Sequence, residues 1–238
     1  MGAPIGPPIG SPIGNMILQF DIFKPYSDRL VQGITTKDFG SLNGEEKGYE
    51  SQLKKLKTFS GKIPVFGIQI HSDKILKIDK VPKERPKADA LITNKKGLPI
   101  GIKVADCQGI LLFDPKKNAV AAVHSGWKGS AQNIIGKTVK KMTKEFGSDP
   151  GDILAGISPS LGPCCLEFTD PKKELPESMH PYIRGKNLDF WSLSLHQLNE
   201  AGVKNIEIKA ECTKCHPDRF FSYRNKETGR MAAFIGLK

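Results

Sequence analysis

The sequence predicts an α/β (α+β) fold, a layered sandwich with mixed sheets, on three observations. Short apolar runs of strand length crowd the middle third of the chain. Two later segments carry apolar residues at helical spacing. Strands and helices do not alternate in a strict βαβ rhythm, which argues against a doubly wound parallel sheet.

Taken in order, residues 1–14 repeat a Pro-Ile-Gly unit at Pro4, Pro8 and Pro12, a composition that cannot build a core and predicts a flexible tail. Residues 15–238 show no internal repeat and no linker, so they are expected to form a single domain. Lys62 to His71, Ile75 to Ile78, Ile100 to Val104, Ile110 to Phe113 and Ala119 to Val123 read as strands. Asp114-Pro115-Lys116-Lys117-Asn118 is turn chemistry between the last two, which predicts a hairpin. Ile135, Val139, Met142 and Phe146 place a helix after Gly129, stopped by Gly147. Leu188, Trp191, Leu195 and Leu198 mark a second helix closed by Gly202, and Ile206 and Ile208 alternate as a further strand.

Composition bounds the function. Hydrophobic residues make up 38% and charged residues 26% of the 238, enough for a sizeable core and unlike a disordered chain. No apolar run reaches the roughly 18–20 residues that span a bilayer, and no secretory signal is visible, so a cytoplasmic protein with no membrane partner is expected. The net charge of +11 is spread over scattered lysine pairs such as Lys54-Lys55 and Lys140-Lys141. No nucleic-acid module accompanies it, so no nucleic-acid partner is expected; the charge reads as a solvated lysine-rich surface or, second to that, as a field that suits an anionic substrate. Five cysteines, an odd number, fit a reducing compartment, and the adjacent pair Cys164-Cys165 is poorly suited to a disulfide. Cys212-x-x-Cys215-His216 has the form of half a zinc site, with no second half apparent in the sequence.

Three strand ends carry metal-competent side chains: His71, Cys107 and His124. Two imidazoles and a thiolate form a donor set for zinc, and three protein ligands leave the fourth position open for a water activated by the metal. The same residues suit other chemistry. Cys107 with His124 makes a nucleophile and base pair, and Cys107 alone makes an inert buried thiol. Asp106 beside Cys107 is placed to orient a ligand, to relay a proton or to cap a turn. Ser125-Gly126-Trp127-Lys128-Gly129 joins a strand to a helix; its glycines permit close backbone approach, and Lys128 adds charge, which predicts a phosphate site or simply a tight turn. Trp127 suits stacking on a purine or packing beneath the helix, and Arg224 suits phosphate binding or a salt bridge.

Several ordered segments together carry a resemblance. They are Gly33-Ile34-Thr35-Thr36, Gln69-Ile70-His71, Ala88-Asp89-Ala90-Leu91-Ile92-Thr93, Val104-Ala105-Asp106-Cys107, His124 to Gly129, Pro159 to Cys165, and Phe220-Phe221-Ser222-Tyr223-Arg224. Over roughly Gly33 to Lys238 the chain resembles the YfiH/DUF152 family, called multicopper polyphenol oxidase or laccase domain and later purine nucleoside phosphorylase. The resemblance implies a YfiH-like sandwich, distantly similar to the catalytic domain of cytotoxic necrotizing factor. It implies zinc on His71, Cys107 and His124, phosphorolysis of adenosine, inosine, guanosine and methylthioadenosine, and adenosine deamination. Phosphate is then expected near Gly126, Lys128, Gly129 and Arg224, with Asp106 as a proton donor. Two departures bear on substrate affinity: Ser125 and Lys128 stand in a motif usually His-Ala-Gly-Trp-Arg-Gly, and Ser72 where Gln-Val-His-Gly is usual. Lysine keeps the charge of arginine but lacks its bidentate fork. Competing expectations are a copper-dependent polyphenol oxidase, for which one His2Cys set supplies few ligands, a cysteine hydrolase using Cys107 and His124, and a non-catalytic binding protein.

Overall fold

The computed structural model describes residues 16–238; the tail expected over 1–14 lies outside the described residues. In chain order the strands are β1 (Ile17–Leu18), β2 (Leu30–Thr35), β3 (Val65–Phe66), β4 (Ile75–Lys77), β5 (Ala90–Thr93), β6 (Ile100–Val104), β7 (Gln108–Asp114), β8 (Ala119–Ser125), β9 (Leu154–Ile157), β10 (Ile183–Arg184), β11 (Asn187–Leu188), β12 (Asn205–Ile208) and β13 (Met231–Leu237). The α-helices are α1 (Tyr49–Ser60), α2 (Trp127–Ala131), α3 (Ile134–Phe146), α4 (Pro171–Glu174) and α5 (Phe190–Glu200). One sheet has the order β1-β2-β13-β6-β3, a second β12-β9-β7-β8-β5-β4, and β10 pairs with β11. Both large sheets mix parallel and antiparallel pairs, as β3 with β6 and β13 with β6 illustrate.

The period-2 alternation of side chains along each strand decides the layering. Leu91, Leu111, Phe113, Val120 and Ala122 of the six-stranded sheet meet Ile34, Ile100, Ile102, Ala233 and Ile235 of the five-stranded sheet in one buried cluster. The opposite residues of the same strands, Ile92, Ile110, Leu112, Ala121 and Val123, pack under α3 and α5 through Ile135, Val139, Met142 and Leu198. Phe66 and Phe234 turn outward from the five-stranded sheet beneath Leu53 and Leu56 of α1. The order of layers is therefore helix, sheet, sheet, helix, matching the expected sandwich. Strands buried on both faces read as continuous apolar runs, which is why β7 and β8 stand out in the sequence. Each fully buried Val, Leu, Ile or Phe among them contributes about 1.5–3 kcal/mol.

Local chemistry sets the ends. Asn118 closes the β7–β8 hairpin at φ 48, a left-handed position that Asn tolerates. The helix expected over Ile135 to Phe146 is α3, with the short α2 added before it; Asn133 at φ 54 separates the two, and its side chain caps α3 by accepting from the Gly136 amide. Gly147 ends α3 as expected, at φ 70. The second helix starts at Phe190 and not Leu188, because Asp189 caps it by accepting from the Ser192 amide and Leu188 belongs to β11. The strand expected over 62–71 is reduced to Val65–Phe66. Beyond it the Gln69 side chain takes the place of a ladder, donating to the Lys103 carbonyl at 2.7 Å and accepting from the Lys103 amide at 2.8 Å. Among the described residues no helix is long and apolar enough to cross a membrane.

Candidate metal centre and cavity

β5, β8 and β7 are neighbours, and their register puts Asp89, His124 and Cys107 at one end of the sheet. Asp89 immediately precedes β5, Cys107 immediately precedes β7, and antiparallel β8 arrives there at His124, opposite Gly109 of β7. The His124 amide continues the ladder by donating to the Asp89 carbonyl at 2.7 Å. β4 runs parallel to β5, so the loop before it carries His71 to the same end. The imidazole nitrogens of His71 and His124 and the Cys107 sulfur lie within 4.8 Å of one another, and the two rings meet edge to face with centroids 4.9 Å apart. The expected triad thus converges.

Asp89, which sequence reasoning passes over, organises this end. Fully buried, it accepts from the amides of Ile70, His71 and Ser72 at 3.2, 3.0 and 2.8 Å and from the Ser72 hydroxyl at 2.8 Å. Its Oδ1 lies 2.8 Å from His124 Nδ1, which leaves His124 Nε2 facing the triad. Burial pushes the Asp89 carboxyl up, but the bonds from His124 and Ser72 outweigh it and hold the pKa at about 2. Burial also pushes the Cys107 thiol up; the two histidines overcome it and bring the thiol down to about 6. For His124 burial acts downward, and the Cys107 sulfur and Asp89 raise it to about 9. Thiol and imidazole therefore favour the thiolate–imidazolium pair. Ser72, where the resemblance implies glycine, adds a hydroxyl bond to Asp89. Ser125 is also internal, its hydroxyl 2.7 Å from that of Ser130.

The backbone is strained where it must be. His71 at φ 57 and Asp106 at φ 80 are left-handed non-glycine residues on the two loops that deliver the triad. Gly126 has an ordinary φ of −88, but a Cβ there would stand 3.0 Å from the Cys107 sulfur and 3.4 Å from His71 Cδ2. The glycine keeps the donor atoms clear.

The triad opens into a cavity of about 800 Å³, within the size range of small-molecule sites. Apolar and aromatic groups on its wall include Trp127, Phe190, Leu161 and Tyr223, with the Trp127 ring edge-on to Phe168 at 5.9 Å. Arg85, Lys103, Arg224 and Arg230 add positive charge. These cations bond to neutral oxygens: Arg85 to the carbonyls of Phe66 and Gly67, Lys103 to the Tyr49 hydroxyl at 2.9 Å, Arg224 to the Glu167 carbonyl and Arg230 to those of Thr228 and Gly229. Burial, helped by Arg85, lowers Lys103 to about 8.

Not every expected site residue reaches this space. Lys128 is exposed on α2 and lies outside the cavity wall, its ammonium 5.5 Å from the Trp127 ring. Gly129 is buried where a Cβ would meet the Ser72 carbonyl at 3.2 Å, so it serves close packing of α2 on the His71 loop. Helix α2 is five residues long, which leaves little dipole for an anion. Asp106 does line the cavity, but both carboxylate oxygens are engaged, Oδ1 by the Thr213 hydroxyl at 2.7 Å and Oδ2 by the Arg224 amide at 2.8 Å. It holds loops together around the triad.

Comparison with known proteins gives the chain its relatives. The family model described as multi-copper polyphenol oxidoreductase laccase matches residues 47–238. A purine nucleoside phosphorylase of Clostridium acetobutylicum is 40% identical over 175 residues, covering 70% of this chain and 74% of its own. A purine nucleoside phosphorylase of Aquifex aeolicus is 37% identical, covering 78% and 88%. Among solved structures, the Bacillus licheniformis hypothetical protein YfiH superposes with a TM-score of 0.82 at 28% identity, over 94% of this chain and 97% of that one.

Proposed function

Because the chain belongs to the YfiH/DUF152 family, the multi-copper polyphenol oxidoreductase laccase family by description, we propose that it is a zinc-dependent purine nucleoside phosphorylase. The observation that carries this reading is the His71, Cys107 and His124 donor set at the wall of a cavity that combines aromatic rings with cations. The residues fit the metal: a softened thiol and two imidazoles, one oriented by a buried carboxylate, are a zinc donor set. A zinc ion held there supplies Lewis-acid stabilisation of negative charge.

In phosphorolysis, a phosphate oxygen attacks the ribose anomeric carbon, the bond to the purine breaks, and its electron pair leaves with the base. This chain's part is to position and to neutralise. Trp127, Phe190 and Tyr223 offer faces for the purine and its sugar. Lys103, with Arg85, Arg224 and Arg230, offers the charge a phosphate needs, and takes the role expected of Lys128. Asp106 acts through the Thr213 and Arg224 segments it holds, as a positioning residue. Adenosine, inosine, guanosine and methylthioadenosine are the proposed substrates, and exchange of the adenosine amino group for water is a proposed side activity.

A copper polyphenol oxidase is less well supported, because His71 and His124 are the imidazoles among the three donors, while His180 bonds the Leu175 carbonyl, His196 sits beside Tyr182 and the exposed His216 belongs to neither group of clustered donors. One observation favours a second reading: Cys107, His124 and Asp89 form a thiol, imidazole and carboxylate chain of the kind cysteine hydrolases use. Product analysis separates the two. Zinc-loaded protein given adenosine with phosphate is expected to release adenine in a phosphate-dependent way, and to lose this on chelation or in His124→Ala. Absence of product from every one of these nucleosides would sink the phosphorylase reading.

A further inference from the structure

Away from the cavity triad, a second group of four sulfurs draws together. β9 and β12 pair in parallel with Ile157 opposite Ile208, so the loops leaving their C-terminal ends run side by side. Two backbone bonds extend the pairing, from the Ser160 amide to the Glu211 carbonyl and from the Thr213 amide to the Ser160 carbonyl. Cys164 and Cys165 on one loop thereby meet Cys212 and Cys215 on the other, and all four sulfurs lie within 4.8 Å of one another. The second half that the Cys212-x-x-Cys215 motif lacks in sequence is the adjacent pair about 50 residues earlier, which the separations of 51 and 50 between Cys215 and its two partners record.

The distances discriminate between a disulfide and a metal. Cys215 lies 3.7 Å from Cys164 and 3.5 Å from Cys165, sulfur to sulfur, and all four are free thiols. A disulfide requires about 2.05 Å. Four sulfurs at about 2.3 Å from a tetrahedral zinc stand roughly 3.8 Å apart. The cluster also has the donors that metal thiolates attract: the amides of Gly162 and Cys215 point at the buried Cys212 sulfur. A divalent cation at the centre of the group would hold the four sulfurs as thiolates and offset their mutual repulsion.

We propose that Cys164, Cys165, Cys212 and Cys215 form a closed, structural zinc site, separate from the His71, Cys107 and His124 set. Four ligands leave no open position, so the role is to staple two loops. The staple bears on the cavity. Thr213 lies inside the Cys212–Cys215 turn and bonds Asp106, which neighbours Cys107, while Ser160 accepts from the Trp191 indole at 2.9 Å.

The test begins with metal content per chain of protein purified under reducing conditions without chelator. Wild type is expected to hold two zinc ions and the His71→Ala/His124→Ala variant one. Cobalt exchanged into that variant is expected to give the intense thiolate-to-metal charge-transfer absorption of a four-sulfur site. Cys212→Ser/Cys215→Ser is expected to retain only the triad's zinc and to melt lower by roughly 10 °C. The proposal is overturned if the folded His71→Ala/His124→Ala variant holds no stoichiometric zinc. It is equally overturned if peptide mapping of fresh protein shows these cysteines paired as disulfides. Neither result depends on whether nucleosides are substrates.

Discussion

Asp89 Oδ1 lies 2.8 Å from His124 Nδ1, and the same carboxylate accepts the amides of residues 70–72, so one buried side chain orients the His124 imidazole and anchors the loop that carries His71. Outer partners of this kind are worth 10–100-fold in metal affinity. Asp89→Asn keeps the shape but loses the charge and the acceptor geometry. Zinc affinity, measured by competition with a chromogenic chelator, is expected to fall by about that factor. Unchanged affinity would mean that Asp89 merely fills space.

The same residue makes an acid-stability prediction. Its carboxyl sits at about 2 in the folded chain against an ordinary value of 3.8. Because the folded value is the lower one, its contribution is complete above about pH 4 and is lost as pH falls through about 2. The melting-temperature gap between metal-free wild type and Asp89→Asn should therefore be widest above pH 4 and shrink towards pH 2. A gap independent of pH would contradict the assignment.

Cys107 offers a kinetic readout of its neighbours. In metal-free protein its thiol titrates at about 6, since His124 and His71 outweigh burial. The rate of alkylation at Cys107, followed by mass spectrometry, is expected to reach half its plateau near pH 6, whereas an ordinary cysteine does so near pH 8.5. His124→Ala should move that midpoint upward, and bound zinc should suppress the reaction.

How far these features are legible in the sequence depends on the range of the interaction that makes them. β7 and β8 are legible because burial on both faces writes an apolar run into a few consecutive residues. β13 is the central strand of its sheet, yet it pairs with β2 and β6, so nothing local identifies its partners. The triad is legible as residue types at strand ends. Its convergence follows from the β4-β5-β8-β7 order, which no spacing encodes. Asp89 escapes notice because its role is a set of bonds to a loop 17 to 19 residues away and to His124, 35 away. The place of Lys128 outside the cavity wall has a local reason: α2 begins at Trp127, and the helical turn carries Trp127 to the cavity and Lys128 away from it.

Gly126 tests the packing of the triad directly. Its φ of −88 accommodates any residue, so Gly126→Ala strains no backbone, and the cost is confined to the new methyl at 3.0 Å from the Cys107 sulfur. The variant is expected to fold with a melting temperature within a few degrees of wild type and to bind zinc at least about tenfold more weakly. Calorimetry and metal competition on the same sample check both halves.

Lys103 and Lys128 separate the anion site expected from sequence from the one proposed for the cavity. Lys103 lines the cavity, bonded to the Tyr49 hydroxyl, whereas Lys128 points to solvent. A charge-assisted hydrogen bond is worth about 1.5–3 kcal/mol, so Lys103→Met should reduce kcat/KM for phosphate by roughly 10–100-fold. Lys128→Met, altering only a solvated charge, should change it by less than about twofold. The pH dependence gives an independent check. Burial and Arg85 bring Lys103 down to about 8, so it is cationic below that pH and neutral above. KM for phosphate should therefore rise as pH passes upward through about 8 in wild type, and this rise should vanish in Lys103→Met. If instead Lys128→Met carries the loss, phosphate binds at the start of α2, and the cavity cations serve another part of the substrate.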